Sequence, residues 1–209
     1  MRILSNVFSF EGIEGCGKST AILQVSNSLI NDGHKVEVFR EPGSTILGEK
    51  IRELILNDQS NKLPWTEFFL FLAARQELME KKILPLMKEH PNTIVILDRY
   101  HDSSLAYQGA GRDLGIDKLL NVISNTTLNL WPAKRFYLEI SLELSKQRQK
   151  ERGGKTDYFE SENEAFFQRT IKGYETIASL FPHSFHTIDA RQPITQVTGH
   201  ILQEIKKLL

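Results

Sequence analysis

The chain of 209 residues has one cysteine, Cys16, which excludes an internal disulfide and any zinc site built from several cysteines. Net charge is missing as well. Its 26 basic residues balance 26 acidic ones, so no global field recruits nucleic acid or anionic lipid, and any anion site must be local. Long apolar runs are absent near the start. The opening MRILSNVFSFEG is short and interrupted, unlike a membrane span or a secretory signal, and no removable leader or membrane partner is expected. The six histidines form no metal constellation, since His183 and His186 flank a predicted strand without further ligands. There is no repeat, no linker and no NKxD guanine-reading motif. A reducing compartment, the cytoplasm, is the expected location.

What is present fits one soluble domain over residues 1–209. Hydrophobic residues make up 40% and charged residues 25%, enough for a sizeable core in a chain of this length. Val7 to Phe10 reads as a short buried strand, followed by a helix on which Ile22, Val25 and Leu29 recur at helical spacing until NDGHK stops it. KVEVF alternates as a second strand. Leu47, Ile51, Leu54 and Ile55 mark another helix, and a long one begins after Pro64 with FFLFLAA, expected to be buried on more than one side. TIVIL is an unbroken apolar run, the mark of an interior parallel strand covered on both faces. RFYLEIS and FHTID supply two more strands, and the last helix runs from about Ile194 to Leu208. Strands alternating with helices predict a parallel, doubly wound α/β sheet.

Gly12, Gly17, Lys18 and Ser19 satisfy GxxxxGK[ST], directly after a predicted strand and opening a predicted helix. In such a loop glycines let backbone N–H groups converge on phosphate oxygens at a helix N-terminus, and Lys18 reaches the terminal phosphates. Ser19, or Thr20, offers a hydroxyl to Mg²⁺. Asp98, at the exit of TIVIL, suits a second place near the metal, with a capping aspartate as the alternative. Arg99 and Arg40 emerge at the same sheet edge. Guanidinium groups pair bidentately with phosphate, so two of them suggest an acceptor that already carries one; the alternative is a pair of solvated surface arginines.

Glu14 is out of place in a phosphate loop. At about 4 Å and an effective dielectric near 20, a carboxylate and a phosphate repel by roughly 4 kcal/mol. Its side chain should therefore face something other than the donor phosphates.

Taken together, GIEGCGKST, REPG, FLFLAAR, DRY followed by AYQG, the basic loop near Arg152 and TIDARQP resemble the thymidylate kinase family over nearly the whole chain. The resemblance implies a three-layer P-loop NTPase fold of the nucleoside monophosphate kinase type, with a parallel five-stranded sheet flanked by helices. It implies transfer of the γ-phosphate of ATP to thymidine 5′-monophosphate (dTMP) with Mg²⁺, in a homodimer. Donor contacts fall on Gly12, Ile13, Glu14, Gly15, Cys16, Gly17, Lys18, Ser19, Thr20 and Arg148, with Ser19 and Asp98 at the metal. Acceptor contacts fall on Glu14, Arg40, Pro42, Phe71, Arg75, Arg99, Ser104, Tyr107 and Gln108. By this resemblance Phe71 stacks on the base, Arg75 reads it, Tyr107 crowds the sugar 2′ position, and Glu14 turns toward the acceptor. Phe71 as plain core, and Tyr107 as a half-buried loop aromatic, are the alternatives.

The family divides by where its catalytic arginine sits, and the loop here has none. The charge must then come from a lid at about 148–160, where Arg148, Lys150, Arg152 and Lys155 are the candidates and Arg152, just before two glycines, is favoured. Lys18, Arg99, Arg152 and Glu14 thus take the catalytic roles. One departure stands out: Tyr158 follows Asp157 where many relatives carry arginine. A deoxynucleoside kinase, another nucleoside monophosphate kinase and a nucleotide switch are the rival readings.

Overall fold

The computed structural model of the protein describes residues 2–57, 62–126, 129–153 and 158–209. Five strands, β1 (Arg2–Glu11), β2 (Val36–Arg40), β3 (Ile94–Asp98), β4 (Leu130–Glu139) and β5 (Phe185–Asp189), form one sheet in the order β2-β3-β1-β4-β5 among the described residues. Every pairing is parallel. Ile94, Val95, Ile96 and Leu97 are completely buried, as expected of an interior strand. The strand order reverses between β1 and β4, and the crevice at the carboxyl ends beside that switch point is where such sheets bind ligands.

Two strands are longer than the sequence predicts. β1 begins at Arg2, well before Val7, because Arg2–Leu4 pair with Leu130–Pro132 and the register shifts between Leu4 and Phe8. That irregularity falls on Ser5 and Asn6, the polar pair that hides the strand in the sequence. β4 likewise starts at Leu130 and not at Arg135.

The helices are α1 (Lys18–Asn31), α2 (Ile46–Leu56), α3 (Pro64–Leu78), α4 (Leu84–Glu89), α5 (His101–Ser104), α6 (Ile116–Ser124), α7 (Leu142–Arg152), α8 (Glu164–Leu180) and α9 (Ile194–Lys206). Several start where a side chain caps them: Gly48 N–H donates to Thr45 Oγ1 at 2.9 Å and Phe166 N–H to Asn163 Oδ1 at 2.9 Å. The final helix ends at Lys206, two residues short of the expected Leu208. The FFLFLAA run is only partly buried. Phe68, Leu72 and Ala74 are in the core, but Phe69 is 54% exposed, because a helix wide enough to present one face to the sheet turns another to solvent.

Two π-helical segments, Met79–Ile83 and Leu105–Gly111, were not legible in the sequence. The second carries AYQG and packs against α8. Such bulges cluster at functional sites, since the extra residue re-aims side chains. α1 and α9 pack together, and the core holds a ring cluster in which Phe136 stacks on Phe8 and meets Phe10 at a tilt. Burying each such ring stabilises the fold by roughly 2–3 kcal/mol. No helix among the described residues is long and apolar enough to cross a membrane.

Candidate active site

A cavity of about 400 Å³ opens at the carboxyl edge of β1, β2 and β3. One wall is the loop from β1 to α1. Gly12, at φ 142°, could not carry a side chain, since a Cβ there would lie 2.8 Å from both Cys16 Sγ and the Leu138 carbonyl. Gly17, at φ 93°, takes the N-cap position of α1 without any side-chain cap, and open space surrounds it. The first N–H groups of α1 are therefore left for an anion.

Lys18, largely buried, donates from Nζ to the Gly12 carbonyl at 3.3 Å. Glu14, Gly15, Cys16, Gly17, Lys18, Ser19 and Thr20 all line the cavity, and Asp98 lines it beside them. Gly12 and Ile13 do not; Ile13 is wholly buried in the core.

Glu14 explains itself by geometry. Its Oε1 accepts from Arg99 Nη2 at 2.6 Å and its Oε2 from the Tyr107 hydroxyl at 2.8 Å. Its main-chain carbonyl is held from α7, accepting from Ser145 Oγ at 2.7 Å. The carboxylate thus turns across the cavity, toward the end of β3 and the π-helical segment. Burial pushes the Tyr107 hydroxyl pKa well up despite the Arg99 charge beside it, so the hydroxyl keeps its proton and donates. Tyr107 is buried within a helical segment, which removes the half-buried loop alternative.

Arg99 has a left-handed backbone, φ 72°, a conformation costing a non-glycine residue about 1–2 kcal/mol. The flanking peptides hold it: Arg99 N–H donates to the Phe10 carbonyl at 3.0 Å and Tyr100 N–H to Glu11 Oε1 at 2.9 Å. Its guanidinium also donates to Ser103 Oγ at 3.1 Å.

Arg40 reaches the cavity mouth, where Nη2 lies 3.0 Å from both oxygens of Glu49. Pro42 follows a cis Glu41–Pro42 bond and lines the same side. Phe71, Ser104 and Gln108 line it too, and Gln108 Nε2 is fixed by Glu67 Oε1 at 2.8 Å. Phe71 is therefore not plain core; its ring sits 6.1 Å from that of Phe159 across the cavity wall.

Arg75 is the exception. It lies behind the wall, 1% exposed, with Nε donating to Glu41 Oε2 at 2.6 Å and Nη2 to the Tyr100 carbonyl and Ser104 Oγ. Its Nη1 has no hydrogen-bond partner among the described residues. Burial pushes the Glu41 carboxyl up to about 7, with Arg75 pulling the other way. Removing either partner of such a buried pair costs about 3–5 kcal/mol.

Arg148 and Arg152 line the far side from α7. Arg148 Nη2 donates to the Ala190 carbonyl at 3.0 Å, whereas Arg152 is 58% exposed and pairs with Glu160. Lys150 does not line the cavity, and Lys155 lies outside the described residues. Tyr158 does not line it either. Lys62 sits 4.5 Å and Arg112 5.4 Å from its ring, and Arg112 is held in turn by Glu67 and Glu162.

The family model for thymidylate kinase matches residues 10–201. The chain belongs to the thymidylate kinase family. A thymidylate kinase of Thermoanaerobacter sp. (strain X514) is 38% identical over 201 residues, covering 96% of this chain and 97% of that one. That of Lactobacillus helveticus (strain DPC 4571) is 41% identical over 207 residues, with 96% and 95% covered. That of Thermosipho africanus (strain TCF52B) is 37% identical over 201 residues, with 96% and 98% covered.

Within this thymidylate kinase site several residues escaped sequence reasoning. Arg52 lines the cavity from α2 and donates from Nη1 to the Pro42 carbonyl at 3.1 Å; Ser103, Phe159 and Glu160 line it as well. Glu11 stood in plain view next to Gly12, but strand-end position alone carries no signal for it. Arg112 and Glu67 could not be paired without the fold, being 45 residues apart.

Proposed function

We infer that the protein transfers the γ-phosphoryl group of ATP to dTMP, giving thymidine 5′-diphosphate and ADP. An oxygen of the acceptor phosphate forms a bond to the γ-phosphorus as the bond to the β,γ-bridging oxygen breaks. The observation that carries this reading is that the phosphate loop, with Lys18, and the arginine at the end of β3 face one another in one cavity. An acceptor phosphate with a second pKa near ~6 is largely dianionic at neutral pH, so the reaction needs no general base. What it needs is positioning and charge neutralisation.

ATP phosphates fit the uncapped N-terminus of α1, with Lys18 beside them. The Ser19 hydroxyl and the Asp98 carboxylate, both lining the cavity, are hard oxygen donors that would hold Mg²⁺. When bound, the metal neutralises developing charge on the transferred group. Arg99 grips the acceptor phosphate, with Arg40 and Arg52 at the mouth. Glu14, already accepting two charge-fixing hydrogen bonds, is oriented to accept another from a sugar hydroxyl. Phe71 supplies a face for the base, and Arg75, behind the wall, acts on the base side through Ser104, whose Oγ it holds. Arg152 supplies the lid charge, from the segment 148–160, of which 154–157 lie outside the described residues. The chain acts as one kinase domain, in the cytoplasm.

A nucleoside kinase would need an unencumbered carboxylate to deprotonate a 5′-hydroxyl. Of the carboxylates that line the cavity, Glu41 is buried against Arg75, Glu14 is held by Arg99 and Tyr107, Glu160 pairs with Arg152, and Asp98 is assigned to the metal. A coupled assay with ATP and a panel of thymidine, dTMP and other monophosphates tests the reading; turnover of thymidine but not dTMP would overturn it. Phe71→Ala is expected to raise the KM for dTMP about tenfold while leaving the KM for ATP near its normal value. An unaffected dTMP KM would return Phe71 to a packing role.

The homodimer forms across α2 and α3. Leu47, Leu54, Trp65 and Phe69 are all exposed there, and the Trp65 and Phe69 rings lie 5.7 Å apart. Exposed apolar side chains on two helices that pack together are what an obligate interface buries. Phe69→Asp is expected to halve the mass seen by light scattering on a sizing column. A wild-type protein that already runs as a monomer would end this proposal.

A further inference from the structure

Glu11 closes β1 immediately before the phosphate loop, and nothing in the transfer just described employs it. It is completely buried, and a buried carboxyl is retained only where its oxygens are satisfied. Here they are, and both bonds lead to Arg99. Oε1 accepts from the Tyr100 N–H at 2.9 Å, the peptide just after the left-handed Arg99. Oε2 lies 2.6 Å from Ser103 Oγ, which itself accepts from Arg99 Nη1 at 3.1 Å and lies 3.1 Å from the Tyr174 hydroxyl. One carboxyl therefore holds the backbone of Arg99 through one oxygen and its guanidinium through the other.

We propose that Glu11 is a positioning residue for the acceptor, setting the backbone of Arg99 through the Tyr100 N–H and, through Ser103, the direction of the Arg99 guanidinium that grips the acceptor phosphate. This rests on the reading of Arg99 given above. Glu11 touches neither nucleotide, and its effect is confined to the acceptor side. Hydrogen bonds of one guanidinium are not interchangeable: an arginine off by 1 Å loses the bidentate geometry a phosphate requires.

The groups around Glu11 are Asp102 and Arg99 beyond β3, Lys18 on α1 and Tyr174 on α8. Burial first, then Asp102, push its carboxyl up to about 8. Glutamine keeps the length of this side chain and a carbonyl acceptor for the Tyr100 N–H, with an amide to face Ser103.

Kinetics of Glu11→Leu, Glu11→Gln, Ser103→Ala and the double variant Glu11→Leu/Ser103→Ala test this, with Arg99→Ala as reference. Glu11→Leu and Ser103→Ala are each expected to raise the KM for dTMP about tenfold, with the KM for ATP within about threefold of wild type. Glu11→Gln should restore the dTMP KM to within about threefold. The double variant should be no worse than the worse single one, because both break one relay. An unchanged dTMP KM in folded Glu11→Leu overturns the inference. Should that variant not fold, an unchanged KM in Ser103→Ala does so, as would losses that multiply in a folded double variant. Arg99→Ala separates the two levels. If it leaves dTMP use intact, the reading of Arg99 fails and takes the inference with it; if it impairs dTMP use while the others do not, only the inference fails.

Discussion

Arg99→Ala is expected to lower kcat/KM for dTMP about 10³-fold, equivalent to roughly 4 kcal/mol of transition-state stabilisation. Two effects add in this variant. The cation facing the acceptor phosphate is lost, and the Glu14 carboxylate, now 2.6 Å from Arg99 Nη2, is left with only the Tyr107 hydroxyl. An uncompensated carboxylate then meets a dianionic phosphate in a partly enclosed cavity, where repulsion is weakly screened. Adding Glu14→Gln to Arg99→Ala should therefore recover about tenfold of the loss, although Glu14→Gln alone is expected to lower acceptor use. Steady-state kinetics with dTMP varied at saturating ATP measures both. Unchanged acceptor parameters in Arg99→Ala would move the anion site to Arg40 and Arg52.

Arg152→Ala is expected to lower kcat about 10³-fold and to change either nucleotide KM by less than about threefold. The loop at Gly12–Thr20 carries no arginine, so the charge that develops on the transferred group calls for a cation from the other side. Arg148 is engaged with the Ala190 carbonyl, and Arg152 pairs with a single carboxylate while its side chain stays 58% exposed. Glu160 is only 5% exposed, but the guanidinium itself stands open to the cavity and to solvent, so it is free to turn from Glu160 toward a phosphoryl oxygen. Single-turnover measurements separate the chemical step from product release. Turnover that survives the change would transfer the role to Arg148 or to Lys155.

Much of the site was legible because its residues are neighbours in the chain. The loop from Gly12 to Thr20 needs glycines, a lysine and a hydroxyl at fixed spacing, and backbone geometry alone dictates that spacing. Asp98 and Arg99 were legible for a different reason: an unbroken apolar run locates an interior strand, and its end must reach the ligand edge of a parallel sheet. Arg75 shows where such reading stops. The sequence places it one helical turn from Phe71, but only packing turns it behind the wall against Glu41. Tyr158 is similar. As a missing arginine it suggested a lost cation, and in the fold it is a surface for Arg112 and Lys62.

The sequence by itself determined the class of chemistry, the alternation of strands and helices, and the phosphate-loop wall of the cavity, since these rest on local spacing and periodicity. Only the tertiary structure decided which way Glu14 faces and what holds Arg99, and it brought Glu11, Ser103 and Tyr174 together around that arginine. The bonded pairs among them lie 92 residues apart for Glu11 and Ser103 and 71 for Ser103 and Tyr174. Their contact depends on the side-by-side pairing of β1 with β3 and on α8 folding back over the π-helical segment, and long-range packing of that kind leaves no trace in local sequence pattern.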